Sequence, residues 1–538
     1  MQNVSTQNLF TGSTKLTNTD ARNHNLKAIS AVKNSIMTSF GALGLDKMCI
    51  DSTGEVLITN DGATIIQTMD IVDPAAKILA EIAMQQDIEV GDGTTTVVLL
   101  AASLIEKGIK LINQGLHPSV IVNGYKMVYK EALNFIKNTM EQDSKNIKSI
   151  IETTISSKVI NVEKELFGDI LYNAVKNIED VDFNGNNIYR IENINILKKQ
   201  GGSIADSNLI NGYAINALPS NLMVKKVEKP KIICIDFDLN KVRLPLGVNV
   251  TVSDPDKLEE IRKKETTLTL ERVDKIIKSG ATVVLSSRGI DDICAKPFVD
   301  AGMIAIKRVD ASELKALAKG LDIPIVTSLS DLEGKDVINT IGNADSIVIE
   351  SIGDSECTVV YASEKKLSSI ILRGPNEQVI EEMDRSVHDG LCVIKRVMET
   401  GKVLPGGGAF ESSLAIHLEE LSTTISSKEG VVVFYFSEAL LEIPRILMQN
   451  AGLDSNELLS KLLFYHQEGK KKKEKDHYLF GIDLYTGEIQ NNIANGIIEP
   501  SLVKIKALRS AVEAAISILR IDEIIYVPEE KKEERPQC

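Results

Sequence analysis

The 538-residue chain carries 61 Lys and Arg against 75 Asp and Glu, a formal net charge of −14, with 43% hydrophobic residues and no Trp. One hydrophobic core does not serve such a length, so two to four domains are expected. The acidic balance argues against nonspecific nucleic-acid or anionic-membrane binding, and the scarcity of aromatics argues against a base-stacking surface. No run approaches the roughly 18 apolar residues of a membrane span, and the polar residues 1–25 lack the apolar core of a signal peptide. The cysteines Cys49, Cys234, Cys294, Cys357, Cys392 and Cys538 form no CxxC pair, so neither zinc nor a disulfide framework is indicated. A reducing, cytoplasmic compartment is expected, with no nucleic-acid and no membrane partner.

In chain order, residues 1–25 read as a flexible arm. Helical periodicity begins near Leu26, with Ile29, Val32, Ile36 and Met37 on one face. It ends at a loop containing Gly41 and Gly44. Asp51 to Thr59 reads as a hairpin around Gly54. Asp73 is a helix cap with Pro74 in the first turn, and Ile78, Leu79, Ile82 and Ala83 give that helix its apolar face. Helical patterns continue to about Asp143, broken at Gly115 and His117-Pro118. His117 has no Cys or carboxylate beside it and marks a helix boundary rather than a ligand.

Two acidic glycine turns stand out: Asn60-Asp61-Gly62-Ala63-Thr64 and Gly91-Asp92-Gly93-Thr94-Thr95-Thr96. The second opens into Val97-Val98-Leu99-Leu100-Ala101-Ala102, a buried helix by composition. Glycines let backbone N–H groups approach an anion, and a helix N-terminus adds unpaired donors and a positive dipole end. Asp92 would repel a phosphate but suits Mg²⁺, which bridges carboxylate and phosphate oxygens. The pattern is a Mg-nucleotide cradle without a Walker A motif or a GxGxxG fingerprint. The alternative is two ordinary loops with glycine turns and Thr caps.

Residues 145 to about 215 turn Asn-, Lys- and Ile-rich, with a strand signal at Ile194-Asn195-Ile196-Leu197. Ser157-Lys158 reads as a polar helix end. Residues 216–365 read as an α/β insert, with β-branched apolar runs at 232–235, 248–252, 282–285, 323–326 and 346–349 between amphipathic helices. Lys257 to Glu265 is a charged helix with i,i+4 ion pairs. Residues 366–403 return to helix, where Asp389 reads as a surface position. His388-Asp389 does not make a triad, since adjacent helix residues diverge and no G-x-S-x-G occurs. Gly406-Gly407-Gly408 opens a helix that buries Leu414 and Leu418, a further backbone approach site. Asn450 to Asp454, Gly481 to Gly487 and Glu499 to Lys504 are each turns or caps taken singly, although Asp483 and Glu499 could accept from ribose hydroxyls. Lys470 to Lys475 reads as a solvated loop, and Glu529 to Cys538 as a disordered charged tail.

Asn60 to Thr64, Asp73-Pro74-Ala75-Ala76-Lys77 and Gly91 to Thr96 resemble, in order and spacing, the group II chaperonins, the family of the archaeal thermosome and the eukaryotic cytosolic chaperonin TRiC/CCT. Glu381 to Asp389 is similar to the family's E-R-S-x-H-D-A segment, with Asp384 and Gly390 as departures. Ala42 stands where the family has Pro, which removes a φ restraint but leaves Gly41. The later glycine, Asp483 and Glu499 segments extend the match over nearly the whole chain.

The resemblance implies a multidomain α and α/β fold. A helical equatorial ATPase domain comes from both termini (1–144 and 404–538), a small intermediate hinge domain from 145–215 and 366–403, and an α/β apical substrate-binding domain from 216–365, with a helical lid protrusion at about 254–280. It implies ATP/ADP and Mg²⁺ as cofactors, with Asp92 on the metal. Gly41, Gly93, Thr94, Thr95, Thr96, Gly407, Asp483, Leu484, Glu499 and Lys504 contact nucleotide, Ser157 and Lys158 sense its γ-phosphate, and Asp61 and Asp389 position the attacking water, so that hydrolysis needs hinge closure. It implies a hetero-oligomeric double ring with seven paralogous subunits, and unfolded clients such as actin and tubulin held near Asp291 to Ala301. A Mg-ATP-dependent small-molecule kinase or ligase would need an acceptor motif, and none is visible. A nonhydrolysing ring scaffold would lack Asp61 or Asp389, and both are present.

Overall fold

The computed structural model describes residues 14–50, 54–144, 147–220, 223–240, 255–328, 340–352, 355–362, 367–472 and 476–526. The run at 248–252, Lys473 to Lys475 and the tail from Glu529 lie outside them. The chain forms two compact units, one from Met1–Asn161 with Arg396–Cys538, the other Val162–Lys395.

The first unit is mainly helical. Its centre is the Thr94–Asn113 helix, with Val97, Leu99, Leu104 and Ile105 fully buried. The Ser501–Leu519 helix lies against it, contributing Leu508, Ala511 and Ala515 to the same core. A small residue sets that approach: a Cβ on Gly108 would stand 2.5 Å from Leu519 Cδ1. Leu414, Leu418, Val432 and Phe436 from later helices join this core. Residues from both ends of the chain therefore share one apolar interior. Tyr125 is buried in it and donates its hydroxyl to the Leu104 carbonyl at 2.7 Å. Because cavity formation adds to lost burial, Leu104→Ala should cost about 2–5 kcal/mol. Chemical denaturation would show that loss, and no shift in midpoint would contradict the packing.

Residues 14–25 are not an arm. Thr14–Thr17 is a strand antiparallel to Glu523–Tyr526, with Leu16 opposite Ile524, and the first helix already starts at Asn18. Lys47–Ile50 and Val56–Thr59 form the expected hairpin. Asp73 caps the Pro74–Val90 helix through the Ala75 N–H at 2.9 Å, as its sequence implies. His117 caps Pro118–Phe135, its ring nitrogen accepting from the Ser119 N–H. Lys470, Lys471 and Lys472 close the Ser455–Lys472 helix rather than lying in a loop. Cations suit a helix C-terminus, and Lys470 also reaches Glu420 at 2.5 Å.

Buried in this unit, His466 sits 3.2 Å from Ser413 Oγ. Burial, with His477 nearby, pushes its pKa down to about 4. Between that value and the ordinary 6.5 the unfolded chain binds the extra proton, so stability is full above pH 6.5 and falls as pH drops towards 4. The loss should reach about 3 kcal/mol. Urea midpoints taken across this range should slope for the wild type and lie flatter for His466→Gln.

The second unit is α/β. Lys231–Ile235, Val283–Ser286 and Ile304–Ile306 run parallel, with Gly342–Asn343 antiparallel on the outer edge. Alternate residues serve opposite faces, as the strand period of two requires. Ile232, Cys234, Val283 and Leu285 meet Leu314, Leu317 and Leu321 of the Ala311–Leu321 helix. Ile233, Ile235 and Val284 meet Val273, Ile276, Cys294 and Phe298, from the Pro255–Lys278 and Asp292–Asp300 helices. A second sheet orders Lys226–Glu228, Ser346–Ile352, Ser355–Tyr361 and Gly212–Ile215, all antiparallel.

Two expectations are corrected here. Ser368–Gly374 is a strand, parallel to Ile194–Gln200, and the helix starts only at Glu377. Ile323 to Val326 makes a single bridge, Val326 to Ile235, rather than a strand, since Pro324 has no N–H to give a ladder.

Candidate functional site

The site is built where two helices of the first unit begin side by side. Asp61 caps the Gly62–Thr68 helix, accepting from the Thr64 N–H at 2.9 Å and the Thr64 hydroxyl at 2.7 Å. The Thr94 hydroxyl, at the start of the next glycine turn's helix, donates to the other Asp61 oxygen at 3.2 Å. The two turns fit because Gly62 has no side chain: a Cβ there would stand 2.3 Å from Thr95 Oγ1 and 3.1 Å from its backbone nitrogen.

Gly91 and Gly93 both take positive φ, 74° and 75°, the region where glycine carries no steric penalty. Gly91 ends one helix and Gly93 begins the next. The Asp92 carbonyl between them is fixed by the Gln86 side-chain amide at 3.0 Å. Gly93 supplies no capping side chain. The helix itself leaves its first-turn N–H groups unpaired, so those of Thr94, Thr95 and Thr96 suit an anion.

The two carboxylates are in different electrostatic states. Burial works to raise the Asp61 pKa, but the Lys158 ammonium and hydrogen bonds from Thr64 and Thr94 prevail and hold it below the ordinary value. At Asp92 burial prevails and raises the pKa, although the Gly93 N–H, Lys158 and Lys504 oppose it. Asp92 is thus a buried carboxylate whose charged form its surroundings disfavour. Lys158 follows the Ile147–Ile155 helix, and the side-chain amide of Asn60 donates to the Ser157 carbonyl, tying that loop to the first turn.

On the C-terminal side, the buried Lys504 pairs with Glu411 at 2.8 Å and Glu499 at 2.8 Å. Burial raises the Glu499 pKa against the pull of Lys504, and the two glutamates together hold the Lys504 ammonium charged despite its own burial. Gly407, at φ 64°, faces Asn492, whose amide donates to the Gly406 carbonyl at 2.7 Å. A Cβ on Gly407 would stand 2.3 Å from Asn492 Nδ2 and 2.8 Å from the Ile482 carbonyl. That contact brings the Asp483-Leu484 turn beside the triple glycine. Asp483 accepts from the Tyr485 N–H at 2.9 Å, an Asx turn. Gly41, at φ 92°, leads a loop held by Asn450, which donates to the Met37 and Phe40 carbonyls, each at 2.8 Å.

The structure thus links Asp61, Asp92, Thr94, Lys158, Glu499 and Lys504 through successive hydrogen bonds and charge contacts, and ties Gly407 to the Asp483 turn. Asp389 belongs to the second unit, buried on the Glu377–Thr400 helix. Its neighbour His388 is exposed and 3.6 Å from Cys392 Sγ. Sequence reasoning missed Glu411, Gln86, Asn492 and the packing role of Gly62. Glu411 alone left a signal, an acidic residue in the first turn after the triple glycine.

Among the described residues no cluster of three or more His, Cys, Asp or Glu can hold a metal alone. Two carboxylates, completed by phosphate oxygens and water, are what Mg²⁺ takes at a nucleotide site. The buried Asp92 and the buried, unpartnered Asn60 Oδ1 both fit such an ion.

A helical unit built from both ends of the chain, with paired glycine-acid turns at adjoining helix starts, defines a nucleotide-binding protein. The family model for the TCP-1/cpn60 chaperonin family matches residues 32–528. The chain is 51% identical over 531 residues to T-complex protein 1 subunit alpha of Encephalitozoon cuniculi, covering 98% of each. It is 42% identical to the protein of that name in Dictyostelium discoideum, covering 95% of each. With thermosome subunit beta of Thermoplasma acidophilum it shares 36% identity, over 94% of this chain and 92% of the other. The chain belongs to the TCP-1/cpn60 chaperonin family, and is an ATP-hydrolysing chaperonin subunit. Among the described residues no helix is long and apolar enough to cross a membrane.

Proposed function

We propose that residues 1–144 and 404–538, which fall within the first unit, are the equatorial ATPase domain of a subunit in a cytoplasmic hetero-oligomeric double ring, and that Mg-ATP occupies the cradle between Asp61 and Lys504. The observation that carries this is the Asp61–Thr94 hydrogen bond, which fixes one acidic turn against the helix start of the other. Asp92, with Asp61 beside it, would hold Mg²⁺. Bound there, it would supply the positive charge that neutralises phosphate in phosphoryl transfer.

The chain's own groups do the rest. The N–H groups of Thr94, Thr95 and Thr96, with Gly93, hold phosphate at a helix N-terminus. Lys158 and Ser157 meet the terminal phosphate, where a lysine acts as a point charge. Gly41, Gly407, Asp483, Leu484 and Glu499 line the base and ribose. Asp61, kept ionised by Lys158 and its threonines, and Asp389 orient the attacking water. Residues 145–215 and 366–403 are the intermediate hinge domain and 216–365 the apical domain, with Pro255–Lys278 in the lid protrusion and the Asp292–Asp300 helix on the client face. Seven paralogues complete each ring, and unfolded actin and tubulin are the proposed clients.

The test is the native mass of the purified complex together with its Mg²⁺-dependent ATP turnover, wild type against Asp92→Asn. A large double ring whose variant needs at least tenfold more Mg²⁺ for nucleotide retention on this chain supports the reading. A monomer, or an unchanged Mg²⁺ requirement, overturns it.

A further inference from the structure

Glu411 is 95% buried, and its carboxylate is turned toward another side chain, Lys504. Its carboxylate stands 2.8 Å from Lys504 Nζ, with side-chain exposures of 5% and 7%. The same ammonium holds Glu499, also at 2.8 Å. Glu411 comes from the first turn of the Ala409–Thr424 helix, Glu499 from the Ile498–Pro500 strand and Lys504 from the Ser501–Leu519 helix. These elements are locked. Leu404, just before the triple glycine, pairs in register with Glu499. A Cβ on Gly406 would stand 3.0 Å from Glu499 Oε1, and one on Gly93 2.9 Å from Val503 Cγ1. Lys504 is therefore anchored between the phosphate turn and the triple glycine.

The charges add to a definite imbalance. Among the described residues, Lys158 acts on Asp61 and Asp92, and Lys504 acts on Asp92, Glu411 and Glu499. Carboxylates outnumber ammoniums in this group, an acidic excess of the sign that suits a cation. Lys504 acts on both Asp92 and Glu499. Glu411 sets how much of that ammonium's charge is cancelled before it reaches them.

We infer that Glu411 is an electrostatic positioning residue: through Lys504 it keeps the cradle negative enough to require a divalent cation with its nucleotide. This rests on the Mg-nucleotide reading above. The inference fixes signs. Removing the Glu411 charge strengthens the Lys504 field, so bare nucleotide binds better and the cation worse. Removing the Lys504 charge does the reverse. A merely structural Glu411 would weaken both together, since breaking a buried pair disturbs everything packed on it.

The test uses the assembled complex and 8-azido-ADP, read as crosslinking to this chain alone so that sister subunits do not contribute. Two quantities are measured: the probe concentration for half-labelling in EDTA, and the Mg²⁺ concentration for half-maximal labelling at limiting probe. For Glu411→Gln the first should fall about threefold and the second rise about threefold, the scale of one charge acting through a partly solvated path. Lys504→Gln should move each quantity the opposite way, and Glu411→Asp should stay near wild type. Losses in both quantities for Glu411→Gln, or no change in either, overturn the inference. If Glu411→Gln fails to assemble, Lys504→Gln still decides by its sign. Wild-type chain that takes no label under any condition overturns the nucleotide reading itself, a result distinct from the other two.

Discussion

Asp389→Ala should leave ATP bound but slow its hydrolysis on this chain by roughly a hundredfold or more, the scale of losing a group that orients and deprotonates a nucleophile. Asp389 is 8% exposed on a helix whose other inward residues, Met383, Val387 and Leu391, are fully buried. The cradle's own bonds, Thr64 and Thr94 to Asp61 and the Gly93 N–H to Asp92, do not involve it. Affinity should therefore survive while turnover falls, the signature of an interaction made in the transition state. The measurement is radiolabelled 8-azido-ATP trapped on this chain: triphosphate persists in the variant and becomes diphosphate in the wild type. Conversion at the wild-type rate would remove Asp389 from the reaction. Loss of label altogether would make it a binding residue instead.

How far the sequence showed this site depends on the range of each interaction. The Asp73 and Gly93 helix starts were legible because caps act within a few residues. The buried run after Thr96 was legible because it is apolar on every face. The Thr14–Thr17 strand was not, because its partner lies at Glu523–Tyr526 and the pairing leaves no local period. Ser368–Gly374 was read as helix for a different reason. All seven of its residues are buried, as in a parallel strand covered on both faces, so the alternation that marks a half-exposed strand is missing. Glu411 and Lys504 stand 93 residues apart, and Asn492 reaches the Gly406 carbonyl across 86. Such partners look like ordinary surface polar residues until the fold buries them. The resemblance supplied the assignments that local chemistry could not, Asp389 above all.

Gly62 shows the same limit and gives the second large effect. In sequence it is the glycine of an acidic turn, read for its backbone rather than for the space it leaves. In the structure its φ is not positive, and it is already the first residue of a helix. What it provides is space. The missing Cβ would fall 2.3 Å from Thr95 Oγ1 and 3.2 Å from Thr95 Cα. A hydroxyl can rotate away, but the backbone contacts at 3.1 and 3.2 Å belong to the first turn of the phosphate helix. Gly62→Ala must therefore push that turn outward, stretching the Thr94 hydroxyl from Asp61. Overpacking of this kind costs about 1–3 kcal/mol, and placed at the binding site it should weaken Mg-ADP binding about tenfold or more, since 1.4 kcal/mol is tenfold. Gly168→Ala is the control. It lies within the Lys164–Asn177 helix with nothing near its would-be Cβ, and Ala is the better helix former. It should leave binding unchanged and hold or raise the melting temperature. If Gly62→Ala binds Mg-ADP as tightly as that control, the first turn of the phosphate helix is not held by Asp61, and the cradle is looser than its geometry states.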